Sequence, residues 1–215
     1  TTHTQARYVL PHAVAKLRSS YPKVHISLHQ ATPHEVARMV LDEQAEIGMA
    51  TESLADYPDL VTLPCYEWEH VLVVPPSHPL ATKERIGLDD LAIEPLITYH
   101  PSFTGRNKID AAFAVRQLHP RVVLEAIDSD VIKTYVRLGL GVGIVAEMAM
   151  REDPGVDLVA RPLGHLFGQS VARVAFKRGA YLRNFVYKFA ETLSDRLSRD
   201  LIIRAMQGEP SDYSL

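Results

Sequence analysis

The sequence predicts an α/β protein built as two lobes with a cleft between them. Three observations carry this reading. Short apolar runs with the period of strands alternate with amphipathic stretches with the period of helices. The alternation restarts near His70, which separates a second unit from the first. A final strand and helix follow residue 166, so the beginning and end of the chain build one lobe and its middle the other. The expected boundaries are 1–69 with 167–215 for lobe I and 70–166 for lobe II. Strand ends and helix starts converge at such a cleft, which makes it the natural place for a small ligand.

Each element has its own warrant. Thr4 to Ser20 reads as a helix with Leu10, Val14, Leu17 and Tyr21 on one face, kinked or broken at Pro11. Val24, Ile26 and Leu28 alternate with polar residues and predict a strand. Thr32-Pro33-His34-Glu35 opens the next helix with a capping box. Ile47 to Ala50 is a short apolar strand ending at Thr51. Val71–Val74, Leu96–Tyr99, Val122–Leu124 and Ile144–Val145 predict the strands of lobe II. Between them lie helices from Phe103-Thr104-Gly105-Arg106 to about Gln117 and from Asp128-Ser129-Asp130 to Leu138. Arg173–Phe176 is a last strand, and Leu182, Phe185, Val186, Phe189, Leu193 and Leu197 mark one long amphipathic helix. The tail from Gln207 is polar and expected to fray. Strands alternating with helices predict a parallel sheet covered on both faces.

Composition excludes several classes. At 47% hydrophobic residues the chain can build a core, which rules out intrinsic disorder. No apolar run approaches the roughly 18–20 residues of a membrane span. One cysteine, Cys65, leaves no internal disulfide and no multi-cysteine metal site. A net charge of −3 is the wrong sign for strong binding of nucleic acid by this chain alone. A free thiol and the lack of a basic-then-apolar leader point to the cytoplasm.

The residues that bear chemistry are mostly hydroxyls at element ends. Thr2-Thr4-Gln5, Ser102-Thr104-Gly105 and Asp128-Ser129-Asp130 lie where helices start, and Thr51 lies just past a buried strand. Helix starts carry unpaired N–H groups and partial positive charge, which suits an anion, although ordinary capping explains any one segment alone. Gly139-Leu140-Gly141-Val142-Gly143 follows a helix and precedes a strand, the reverse of a dinucleotide loop, and reads as a helix cap. The ten histidines show no paired metal-ligand spacing, and Cys65 reads as a buried, inert thiol. No nucleophile motif or phosphate loop is present, so no enzyme activity has a residue to carry it, and neither a cofactor nor a metal is expected.

Several runs resemble a known family. Thr1 to Tyr8 with Leu10-Pro11, Tyr21-Pro22, Ala45 to Glu52, His78-Pro79-Leu80-Ala81, Pro95-Leu96-Ile97 and Gly139 to Ile144 look like the effector-binding domain of LysR-type transcriptional regulators. The segments Thr1–Tyr8, Leu63-Pro64-Cys65-Tyr66-Glu67-Trp68 and Phe103–Arg106 with Asp130–Leu138 resemble members of that family that govern cysteine biosynthesis and sulfur assimilation. The resemblance covers essentially the whole chain. It implies Rossmann-like lobes in the manner of a periplasmic binding protein, and a winged helix-turn-helix upstream that reads promoter DNA. It also implies self-association as a dimer or tetramer, and an effector such as sulfate, thiosulfate, O-acetylserine or N-acetylserine. Thr2, Thr4, Gln5, Thr51 and Thr104 match effector-contacting positions, and Trp68 matches one tied to the inducer response. Two places depart from the family: its short strand before Thr1 is at most partly present, and Tyr99-His100-Pro101-Ser102 differs from its pattern. The rival expectation is a solute-binding protein for sulfate-like anions with the same fold.

Overall fold

A computed structural model describes residues 1–151 and 157–208. Its described residues form two compact units, 1–67 with 171–208 and 68–170.

In the first unit, helices α1 (His3–Tyr8), α2 (Leu10–Ser20) and α3 (Pro33–Leu41) precede strand β1 (Gly48–Ala50). The expected first helix is two, and the break falls at Val9, because Pro11 fits the first turn of a helix but not its interior. The capping box of α3 forms. Thr32 Oγ1 accepts from the Glu35 amide at 3.4 Å, and the Thr32 amide donates to Glu35 Oε2 at 2.8 Å. Strand β2 (Leu60–Val74) contributes to both units and is nearly four times as long as its apolar tail Val71–Val74 alone suggested; the polar residues Tyr66, Glu67 and Glu69 conceal the rest. Strand β7 (Gln169–Lys177) lies between β1 and β2 and pairs with β1 antiparallel, Gly48 opposite Ala175. Val36, Val40, Leu54, Leu60 and Ala175 form its core under α3.

Two expectations fail here. Val24–Leu28 forms no strand; it is held at its start, where the Val24 amide donates to Tyr21 O and Arg18 donates to Val24 O, and just past its end, where the Thr1 amine donates to His29 O and the Ala31 amide donates to Thr1 O. Alternation alone does not make a strand without a neighbouring backbone to pair with. The long C-terminal helix is likewise two, α8 (Asn184–Leu193) and α9 (Arg199–Met206). Ser194 turns extended and its hydroxyl donates to Cys65 O at 2.7 Å, while Ser198 caps α9 by accepting from the Leu201 amide at 3.1 Å. Apolar periodicity runs through the break because Leu197 is buried from the turn itself. Of the expected frayed tail, residues 209–215 lie outside the described residues.

The second unit contains α4 (Leu88–Ala92), β3 (Pro95–Tyr99), α5 (Thr104–Val115), β4 (Arg121–Ala126), α6 (Ser129–Arg137), β5 (Val142–Ala146), β6 (Val159–Pro162) and α7 (Gly164–Phe167). Its sheet runs β6-β2-β5-β3-β4. Strand β3 is parallel to β4 and β5, each reached through a helix. Strand β2 is antiparallel to β5 and β6. The sheet of the second unit is therefore mixed, and β1–β7 is antiparallel, not the purely parallel arrangement expected, because β2, β6 and β7 are not joined to their neighbours by simple strand–helix–strand crossovers. Leu72, Leu96, Ile109, Phe113, Ile144 and Leu163 fill the core between this sheet and α5. At Gly139 the backbone takes φ +76°, and its amide donates to Val136 O, so the glycine run ends α6 as a cap and leads into β5.

Candidate functional site

In the first unit the predicted residues gather at one end of β1. Thr2 is the extended residue before α1 and is buried. Thr1 Oγ1 donates to Met49 O at 2.9 Å, which ties the start of α1 to the last residues of β1. Thr51 follows β1 directly, is buried, and lies 3.4 Å from Ser53 across their hydroxyls. Gln5, one turn into α1, is buried, and its Oε1 accepts the hydroxyl proton of Tyr66. Thr4 is half-buried beside it. The unit thus assembles hydroxyls and one amide, groups that satisfy an anion's oxygens by hydrogen bonding without the desolvation of a buried cation.

In the second unit Thr104 opens α5 and is half-buried, behind Phe103, which supplies no capping side chain. Trp68 reaches the same turn. Its Cη2 lies 3.4 Å from where a Cβ on Gly105 would stand. Of the segments expected at helix starts, Asp128-Ser129-Asp130 spends its groups internally. Asp128 Oδ1 accepts from the Val131 amide at 2.7 Å, and Asp130 pairs with Lys133 at 3.1 Å. Ser129 shares a 2.7 Å hydrogen bond with the Tyr99 hydroxyl, which also accepts from the Ala146 amide. Capping and packing thus engage all three residues of that segment. His100 and Ser102 likewise bond each other, Nδ1 to Oγ at 2.9 Å.

Sequence reasoning missed His70 and Tyr66. Both lie on β2 with Trp68 at spacings of two, so the three side chains alternate to one face, and that period was the available signal. His70 is 0% exposed, and burial aided by the Lys108 charge pushes its pKa down to about 4. Cys65 is buried, with its thiol pushed up to about 12 by burial, which matches the inert reading. Arg106 is a structural cation: it bonds Asp110 at 2.7 Å, Tyr99 O at 2.9 Å and Glu125 at 2.6 Å, locking α5 to β3 and β4.

A family model described as the LysR substrate binding domain matches residues 1–198. The chain belongs to this family. Over 214 residues this LysR domain is 54% identical to the HTH-type transcriptional regulator CysB of Burkholderia cenocepacia, a match covering 100% of the chain and 68% of the relative. It is 43% identical over 218 residues to the HTH-type transcriptional regulator cbl of Escherichia coli, covering 100% of the chain and 69% of the relative. The solved cofactor-binding domain of the Cbl transcriptional regulator superposes with a TM-score of 0.89 at 43% identity, over 96% of this chain and 91% of that one. The LysR domain therefore spans about two thirds of the length of these curated relatives, which are transcriptional regulators and not enzymes. Among its described residues no helix is long and apolar enough to cross a membrane.

Proposed function

We propose that this chain is the effector-sensing part of a cytoplasmic LysR-type regulator of cysteine biosynthesis and sulfur-assimilation genes. Its effector is sulfate, thiosulfate, O-acetylserine or N-acetylserine. Thr2, Thr4, Gln5 and Thr51 of the first unit hold it together with Thr104 and Trp68 of the second. The whole protein works as a dimer or tetramer and meets promoter DNA through an N-terminal winged helix-turn-helix. The observation that carries the reading is the set of buried, uncharged Thr2, Gln5 and Thr51 side chains gathered where α1 meets the end of β1. The 54% identity to a CysB supports the assignment to sulfur metabolism. The mechanism is a shift of population: the effector binds one arrangement of the protein better and so biases the DNA-binding arms, for which a coupling of about 1–3 kcal/mol suffices.

Calorimetric titration with sulfate and with both acetylserines tests this on the chain and on Thr4→Val and Thr104→Val. Losing one hydrogen bond to a charged ligand costs roughly 1.5–3 kcal/mol, so each variant should bind sulfate about tenfold or more weakly. Unchanged affinity in both variants removes the proposed site.

A further inference from the structure

Gln5 differs in kind from the hydroxyls gathered with it. A threonine hydroxyl turns to donate or to accept as its neighbour requires, so Thr2, Thr4 and Thr51 do not by themselves choose between an acceptor and a donor. A primary amide has two unlike ends. Its oxygen only accepts and its nitrogen only donates, and a half-turn of the last side-chain torsion exchanges them at little cost. Whichever end is tied behind decides which end is offered in front.

Tyr66 ties this one. Gln5 is buried, and its Oε1 accepts the hydroxyl proton of Tyr66, which reaches it from β2 within the same compact unit. A side chain on a helix leans toward the helix start, so Gln5 reaches back along α1 toward Thr2. With Oε1 engaged, the amide nitrogen is the end left for that neighbourhood. A buried amide oxygen that loses its partner is costly, and this holds the amide against turning over.

The polarity of the donors then specifies the ligand. Two N–H groups on one nitrogen are met by an oxyanion whose oxygens all accept. An oxyanion of the same shape that keeps a proton must hand that proton to an acceptor, and the amide oxygen is already taken. Sulfate and monohydrogen phosphate are such a pair: both are tetrahedral dianions, and only the second carries an O–H.

We infer that Tyr66 is a positioning residue that fixes the polarity of Gln5, and that through Gln5 it makes the site prefer a fully deprotonated oxyanion of the sulfate class over a protonated one of the phosphate class. This deepens the function proposed above and rests on it for the contact between Gln5 and the effector.

Calorimetric titrations with sodium sulfate and with sodium phosphate near neutral pH compare the chain with Tyr66→Phe, Gln5→Ala and the double variant. The parent should bind sulfate about tenfold or more tightly than phosphate. Tyr66→Phe should weaken sulfate about tenfold and leave phosphate within about threefold of its parent value, since the freed amide can turn its oxygen to the P–O–H. In the Gln5→Ala background the same change should cost sulfate less than about twofold, because the hydroxyl acts through Gln5. The side-chain NH2 signals of Gln5 in the 15N-labelled chain, assigned by their loss in Gln5→Ala, should move saturably with sulfate. Dispersed amide spectra of each variant separate these effects from unfolding. Four results would each overturn the inference while leaving the wider site in place: equal affinity of the parent for the two anions, undiminished sulfate binding by Tyr66→Phe, equal weakening of both anions, or an equal loss with and without Gln5. Parent-like sulfate binding by Gln5→Ala, or none by the chain itself, would remove the contact and the inference with it.

Discussion

At the residue scale, His70 shows how burial writes a charge state. Its imidazole sits between Trp68 and Phe167, and the cost of desolvating a cation there holds its pKa near 4 against about 6.5 in an unfolded chain. Below pH 6.5 the unfolded state binds a proton that the folded state refuses. His70 therefore contributes stability that is fully present above pH 6.5 and is lost as pH falls toward 4, up to about 3 kcal/mol. Urea unfolding of the chain and of His70→Phe across pH 4–7 checks this. The difference in stability should fall with pH in that window for the parent relative to the variant, and parallel curves would contradict the assignment. The same residue was hidden in the sequence, since a histidine at the head of Val71-Leu72-Val73-Val74 looks like a strand edge meeting water. The threonines were legible because hydroxyls at element ends follow from local rules. Burial of His70 comes in part from Phe167, almost a hundred positions away, and from the backbone of Gly105, and no local rule reports either.

At the element scale, short signals survived and long ones did not. The box at Thr32 and Glu35 was readable because both of its bonds lie within three residues. Replacing Thr32 with Ala should destabilise the chain by about 1 kcal/mol, measured as a lower urea midpoint at unchanged slope. The Glu35 carboxyl, held below its usual range by the Thr32 bonds, should lose part of that shift. Errors arose where pairing or capping by distant atoms decided the outcome. The 24–28 run alternates correctly yet lacks a ladder, and the helix read through Leu197 breaks because Ser194 prefers the carbonyl of Cys65. Strand β2 hid in plain view, since its central residues Tyr66, Glu67 and Glu69 interrupt the apolar run.

At the scale of the whole molecule, the two-lobed α/β plan was visible in the sequence, while strand direction was not. The pairing of β3 with β4 and β5 is parallel, where helices make the returns. A ligand that binds only the folded chain stabilises it by mass action, about 2.7 kcal/mol at one hundred times its dissociation constant. For a chain of this size that raises the melting temperature by roughly 5–10 °C. Thermal scans with sulfate or N-acetylserine at that excess should show the rise, and Thr4→Val, binding about tenfold more weakly, should erase about half of it at the same concentrations. A rise that Thr4→Val leaves intact would place the ligand elsewhere.

The single thiol offers a clock. Cys65 is buried on β2, its backbone carbonyl takes the Ser194 hydroxyl of the α8–α9 corner, and burial holds its thiol in the unreactive protonated form. Alkylating reagents meet only those molecules in which local opening has bared the thiol. The rate of iodoacetamide capture should thus count such openings, staying far below the rate of the denatured chain and quickening if Ser194→Ala, which removes the bond to Cys65 O, frees this stretch of β2.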